Sequence, residues 1–358
     1  SEVFVRRINV LLSIGQRLWI SDDVQTLAFS DLGGGVHFYD ISNISVPSYI
    51  ASIKMKSGDG ITDFSISSSG STLYALGASS AGIGTFNLVN LKTDYYVERI
   101  DSMGRVYDIG LLSNKTHAYL SSTTGFYYVN YENLDEIKVI KKLDNIYFST
   151  MYYSNIDISS DESLLAAEGG GGIHLFDIST PENPVFLSTI IGGGGASARD
   201  LKIYDNDQSL IISLGSSGFV IYDISLPSSP VLIGNLDTPG SAADFILSAD
   251  ESTLFMNNGS AGVGIYDISS PSLPVALNEL DTDGNIASIY LTSDENFIYA
   301  SNGAEGLKLI NIEDRSNILE VKTFFGDIDQ INSLSIFKNN YGVLSCQSDG
   351  IKIIDMSD

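Results

Sequence analysis

Four aspartates stand at matching places in this chain: Asp63, Asp108, Asp200 and Asp244. Each opens or nearly opens a short, half-alternating apolar segment, as in Asp244-Phe-Ile-Leu-Ser248. The equivalent places in the remaining segments hold Arg17, Asn155, Ser288 and Ser333. If the segments lie side by side around one axis, these eight side chains form a ring. Two carboxylates roughly 7 Å apart repel by about 2 kcal/mol at an effective dielectric near 20. Such a ring must be solvated, partly protonated or neutralised by a cation. A hard cation such as Ca²⁺ takes many oxygen ligands in flexible geometry. The pattern therefore gives a candidate metal set, Asp63, Asp108, Asp200 and Asp244, and a candidate ligand set, Arg17, Asn155, Ser288 and Ser333. A structural reading stands beside it, in which the aspartates accept backbone N–H groups and cap strand ends.

The stretches that precede these segments are rich in Gly and Asp: Ser57-Gly-Asp-Gly60, Gly192-Gly-Gly-Gly195, Asp237-Thr-Pro-Gly240, Asp281-Thr-Asp-Gly-Asn285 and Gly326-Asp-Ile-Asp329. Asp281–Asn285 begins like a Ca²⁺ loop but lacks the later Glu, and no helix follows the glycine run to make a dinucleotide site. His37, His117 and His174 form no motif, and the third-strand place of His37 and His174 is also filled by Gly84, Gly264, Lys308 and Lys352. Such variation fits packing or a solvated face. There is no Gly-x-Ser-x-Gly elbow, and Trp19 is a lone tryptophan, unlike the recurrent tryptophans of eight-bladed quinone enzymes. Cys346 is the one cysteine; it excludes an internal disulfide and reads as a buried thiol.

What must position these residues is a repeat. The phrase Gly–apolar–Asp–Ile–Ser appears as Gly35-Val-His-Phe-Tyr-Asp40, Gly172-Ile-His-Leu-Phe-Asp177, Gly218-Phe-Val-Ile-Tyr-Asp223 and Gly262-Val-Gly-Ile-Tyr-Asp267. With weaker copies, the anchors fall at 40, 87, 130, 177, 223, 267, 311 and 355, at intervals of 43 to 47 residues. That period suits one four-stranded propeller blade. The third strand, apolar at nearly consecutive places, suits burial on both faces. Pro47, Pro184, Pro230 and Pro274 lie seven residues past their anchors and suit the start of an edge strand. The expected fold is all-β: one eight-bladed propeller of four-stranded antiparallel blades over residues 1–358. The chain stops after the eighth third strand, so residues 1–14 are expected to close the ring as the outer strand of blade eight.

The third-strand phrase resembles the LVIVD-repeat family, as in Leu175-Phe-Asp-Ile-Ser179 and Ile265-Tyr-Asp-Ile-Ser269, followed by Ser270-Pro-Ser-Leu-Pro-Val275. The resemblance implies a β-propeller of the kind common in bacterial and archaeal surface or secreted proteins. It implies no single activity and transfers no catalytic residue.

The formal net charge is −25, from 19 Lys and Arg against 44 Asp and Glu. A chain this acidic disfavours nucleic acid and anionic membranes as partners. No apolar run is long enough to span a membrane. The start at Ser1 reads as a processed or excised segment, and the composition as a secreted or cell-surface protein. The functional expectation is a non-catalytic interaction or adhesion module that presents loops to a protein or glycan. The alternatives are a metal-dependent hydrolase or lactonase at the acidic channel mouth, and a structural unit of a surface layer or filament.

Overall fold

A computed structural model describes residues 3–8, 15–21, 23–31, 35–55, 61–66, 72–77, 83–88, 95–97, 106–114, 116–122, 124–130, 138–143, 155–169, 172–191, 198–324, 331–337, 341–346 and 350–355. Among the described residues the regular elements are strands, apart from two short 3₁₀ turns at Gly259–Ala261 and Gly303–Glu305.

β1 (Val3–Ile8) stands apart from its chain neighbours. The first repeat comprises β2 (Gly15–Ile20), β3 (Thr26–Asp31), β4 (Gly35–Asp40) and β5 (Ser48–Met55). The second has β6 (Ile61–Ile66), β7 (Thr72–Gly77), β8 (Ile83–Asn87) and β9 (Tyr95–Val97). The third has β10 (Val106–Leu111), β11 (His117–Ser122), β12 (Gly125–Asn130) and β13 (Lys138–Leu143). The fourth has β14 (Ile156–Ile158), β15 (Leu164–Gly169), β16 (Gly172–Asp177) and β17 (Val185–Ile190). The fifth has β18 (Asp200–Tyr204), β19 (Ser209–Ser213), β20 (Phe219–Asp223) and β21 (Val231–Leu236). The sixth has β22 (Phe245–Leu247), β23 (Thr253–Asn257), β24 (Val263–Asp267) and β25 (Val275–Leu280). The seventh has β26 (Ser288–Leu291), β27 (Phe297–Ser301), β28 (Leu307–Asn311) and β29 (Leu319–Phe324). The last has β30 (Ile331–Phe337), β31 (Tyr341–Cys346) and β32 (Gly350–Asp355).

Within each repeat, apart from β9, the strands form an antiparallel meander, and the meanders make a β-propeller. The expectation of eight four-stranded blades is corrected to seven. Among the described residues, seven sheets carry four or more strands, whereas the second repeat's sheet, β6-β7-β8, carries three. The reason is a strand placed elsewhere. β9 pairs in parallel with β5, Ile53 opposite Tyr95, and becomes a fifth strand of the first repeat's sheet. At the chain ends, β1 pairs antiparallel with β32, from Val3–Asp355 to Ile8–Ile351. Residues 9–14 lie outside the described residues.

First strands of neighbouring sheets touch one another: β2 meets both β6 and β30, β10 meets β14, β14 meets β18, and β22 meets β26. They form the inner ring. The core lies between adjacent sheets. Leu164, Ala166 and Leu175 of the fourth repeat pack on Leu201, Ile203 and Ile212 of the fifth. Leu27, Phe29 and Ile41 of the first pack on Val343, Ile351 and Ile353 of the last. A strand covered on both faces has no polar side, so the third strands are apolar without strict alternation.

The glycine before each third strand has a steric cause. Gly218 and Gly262 have φ of 68° and 83°. A Cβ there would stand 2.1 Å from the Leu236 carbonyl and 2.0 Å from that of Leu280, at the end of the outer strand. The closing Asp fixes the next turn, because its carboxylate accepts the N–H two residues on. The distance is 2.9 Å from Ser179 to Asp177, from Ser225 to Asp223 and from Ser269 to Asp267. These turns deliver the chain to the proline that opens the outer strand.

Candidate active site

Inner strands bring the predicted column to one end of the channel. Asp63, Arg17 and Ser333 lie on β6, β2 and β30, but their side chains fall outside the described set. Asp108, Asp200 and Ser288 lie in β10, β18 and β26; Asn155 and Asp244 stand immediately before β14 and β22.

The described aspartates strap neighbouring blades together. Asp108 accepts the Ile109 N–H at 2.8 Å and, with its other oxygen, the Ile156 N–H of the next repeat at 3.0 Å. Asp244 takes the Asn257 amide at 2.6 Å and also accepts backbone N–H bonds from itself and from Ile289 of the next repeat. Asp200 accepts the Leu201 N–H at 2.8 Å, but its second oxygen is 3.4 Å from the Phe245 nitrogen. Asp200 is thus the most loosely engaged of the three. The capping reading is realised here, and it leaves Asp200 with spare acceptor capacity.

Electrostatics single out the same residue. Burial pushes the Asp200 carboxyl up to about 7, against its backbone hydrogen bonds, and the charges of Asp244 and Asp108 add to the rise. Burial also raises Asp244, partly offset by its hydrogen bond from Asn257. The three carboxyls therefore share one electrostatic site across the channel. Among the described residues, no group of three or more His, Cys, Asp or Glu side chains is placed to hold a metal ion.

Asn155 donates to Glu168 at 2.9 Å and to the Arg199 carbonyl at 3.2 Å. Ser288 and Ser301 hydroxyls share a 2.6 Å bond. These contacts show a second polar layer behind the column, of Ser121, Glu168, Ser213, Asn257, Ser301 and Ser345, all buried. Most lie thirteen residues after a column residue, since the hairpin register places them opposite: Asp200 with Ser213 and Ser288 with Ser301. The signal was legible as a polar residue ending each apolar second strand, as in Leu164-Leu-Ala-Ala-Glu168. His174 is not part of the site. It is buried on β16, its Nδ1 lies 2.9 Å from the Thr189 hydroxyl, and burial lowers its pKa to about 4.

The LVIVD repeat pattern matches residues 195–238, from just ahead of β18 through β21. The chain carries an LVIVD repeat. That repeat therefore includes Asp200 and its Arg199 neighbour. No curated protein matches by sequence. Among solved structures, a protein from Lactobacillus plantarum is 12% identical, with a TM-score of 0.61 over 88% of this chain and 98% of that one. A periplasmic gluconolactonase from Pseudomonas aeruginosa is 12% identical, with a TM-score of 0.54 over 95% of this chain and 88% of that one. A candidate 6-phosphogluconolactonase from Bacteroides fragilis is 10% identical, with a TM-score of 0.61 over 94% of this chain and all of that one. At such identities the likeness establishes the propeller fold. The expectation of a non-catalytic adhesion module is corrected by the names of these neighbours, two of which are lactonase names. Among the described residues, no helix is long and apolar enough to cross a membrane.

Proposed function

We propose that this chain is a lactone hydrolase whose reaction takes place at the acidic end of the channel, with Asp200 as general base. One observation carries the reading: three inner-strand carboxyls, Asp108, Asp200 and Asp244, interact at one channel end, and only Asp200 keeps a weakly engaged oxygen. A base is most effective when its pKa lies near the working pH, and that of Asp200 is about 7. The lactonase names of two fold neighbours support the same choice.

In the step proposed, the Asp200 carboxylate takes a proton from water as the water oxygen bonds to the lactone carbonyl carbon. The ring C–O bond then breaks. The proton passes to the departing ring oxygen, and the product is the open hydroxy acid. Asp108 and Asp244 sustain the raised pKa of Asp200, while Asn155 and Ser288 flank it. Arg17, Asp63 and Ser333 complete the column in this proposal, as does a single propeller domain over residues 1–358 closed by β1. An extracellular or cell-surface location belongs to the same proposal.

The test is hydrolysis of D-glucono-1,5-lactone followed by pH-stat, corrected for spontaneous opening, with added Ca²⁺ and separately with chelator. The parent kcat should rise with pH through about 7. Asp200→Asn should lower kcat by about 100-fold or more while keeping its fold by circular dichroism. Full activity in Asp200→Asn would overturn the assignment.

A further inference from the structure

The face around Asp200 and Asp244 carries a built shelf. Gly215, Gly259 and Gly303 recur at equal spacing in the second-to-third hairpins of three successive repeats, with φ of 60°, 62° and 57°. The connection that leaves the same repeat's outer strand crosses the first two of these hairpins. Ala242 and Gly215 exchange N–H bonds at 2.9 and 3.0 Å, and the Ile286 N–H reaches the Gly259 carbonyl at 3.1 Å. Above these glycines the space is bounded by polar atoms. A Cβ on Gly215 would lie 3.5 Å from the Ser241 hydroxyl and 3.6 Å from Arg199 Nε. One on Gly259 would lie 3.5 Å from the Asn285 amide oxygen. Arg199, Ser241 and Asn285 are exposed, and the first two lie one and three residues ahead of Asp200 and Asp244.

A second observation is independent of the glycines. The Asn258 amide oxygen and the Thr238 hydroxyl are buried and have no hydrogen-bond partner. Their counterparts one repeat on, Asn302 and Thr282, bond to each other at 3.2 Å. Asn258 instead donates to the Tyr266 hydroxyl at 3.0 Å. A buried acceptor next to Gly259 and a buried hydroxyl in the connection after β21 thus keep unused hydrogen-bonding capacity.

Among the described side chains, the charge on this face is one-sided. Arg199 stands against Asp108, Asp200 and Asp244 in the column and against Asp237, Asp281 and Asp283 in the exposed connections. A phosphate brings roughly two further negative charges into a negative field, which screening weakens only beyond about 10 Å at 0.1 M salt.

From these three features we infer that the shelf over Gly215, Gly259 and Gly303 holds the hydroxyl-bearing arm of an uncharged polyhydroxy lactone, and that it rejects phosphorylated lactones. This rests on the lactonase reading and names its substrate class. Ser241 and Asn285 are the specificity residues, with the polar edge of the Arg199 guanidinium beside them.

The experiment compares kcat/KM for D-glucono-1,5-lactone and its 6-phosphate at low and high salt. It adds calorimetry with gluconolactam, an uncharged analogue that does not hydrolyse. The neutral lactone should be preferred at least tenfold at low salt, and the preference should shrink in 0.5 M NaCl. Ser241→Ala and Asn285→Ala should each raise KM several-fold with little change in kcat, and weaken lactam binding in parallel, with unchanged melting curves. Equal or better turnover of the phosphorylated lactone overturns the inference and leaves the lactonase reading standing. If neither lactone is hydrolysed, the lactonase reading fails; lactam binding that both variants weaken then supports the shelf, and absence of lactam binding overturns it.

Discussion

Two regions of this propeller solve the same problem differently. In repeats five to seven the outer strands β21, β25 and β29 fold back on the third strands that immediately precede them. In the second repeat, β9 starts eight residues after its anchor Asn87, the same offset at which β25 follows Asp267, yet it pairs in parallel with β5 of the first repeat. One difference lies in the connection. Asp223-Ile-Ser and Asp267-Ile-Ser make a carboxylate-capped turn and lead to Pro230 and Pro274, whereas Asn87-Leu-Val leads to Asp94. A local turn that returns the chain makes pairing with the adjacent strand entropically cheap. In the second repeat, where that turn signal is missing, the three-residue β9 pairs with another available edge.

The chain ends extend this comparison, since β32 takes its outer partner from the far end of the sequence. Deletion of residues 1–8 should give the largest effect. It strips a ladder from β32, and the loss should exceed the typical point-mutant cost of about 1 kcal/mol several-fold. Chemical denaturation measures it, and an unshifted midpoint would show that β1 contributes no closure.

Next comes the glycine that lets an outer strand close over its third strand. Gly262→Ala combines positive φ with a Cβ 2.0 Å from the Leu280 carbonyl. We expect a loss of about 3 kcal/mol, because backbone must move. The same substitution at Gly303 meets its nearest backbone atom only at 3.4 Å, so its cost should be near that of φ strain alone, about 1 kcal/mol.

Two titrating groups in adjacent repeats, one buried and one half-buried, should act on stability with opposite signs. Asp200, raised to about 7, binds more protons folded than unfolded between about pH 4 and 7, so it makes stability fall as pH rises through that window. His174, lowered to about 4, binds fewer protons folded than unfolded between about pH 4 and 6.5, so it makes stability rise with pH. The parent should therefore show a shallow profile. Asp200→Asn should steepen the loss of stability on acidification, and His174→Gln should give a protein that weakens as pH rises from 4 to 7. Parallel profiles for parent and both variants would contradict the assignment.

The smallest effect tests the turn itself. Asp267→Ala removes the 2.9 Å bond to the Ser269 N–H in an exposed turn and should cost about 1 kcal/mol. Thermal denaturation beside Asp267→Asn, which keeps the acceptor and should lose less, separates the turn from the charge.

Much of the fold was legible because its signals act over a few residues. The Gly-to-Asp phrase predicts β20 and β24, the prolines predict the starts of β17, β21 and β25, and the period predicts the blades. The column at Asp108, Asn155, Asp200, Asp244 and Ser288 followed from aligning those repeats. The sequence by itself thus determined strand class, turn chemistry and which residues face one axis, since period and turn geometry depend on near neighbours. Only the tertiary structure decided where β9 pairs, since an open edge has to exist before a strand can choose it. The fold also decided which carboxylate is held most loosely. Asp108, Asp200 and Asp244 look alike in sequence, but the 3.4 Å approach of the Phe245 nitrogen, about forty-five residues away, leaves Asp200 the loosest. The polar shelf of Arg199, Ser241 and Asn285 was hidden for the same reason. Its members lie in three connections whose side chains meet only when successive blades are laid side by side, and burial and charge summed over that assembly, rather than local pattern, set their chemistry.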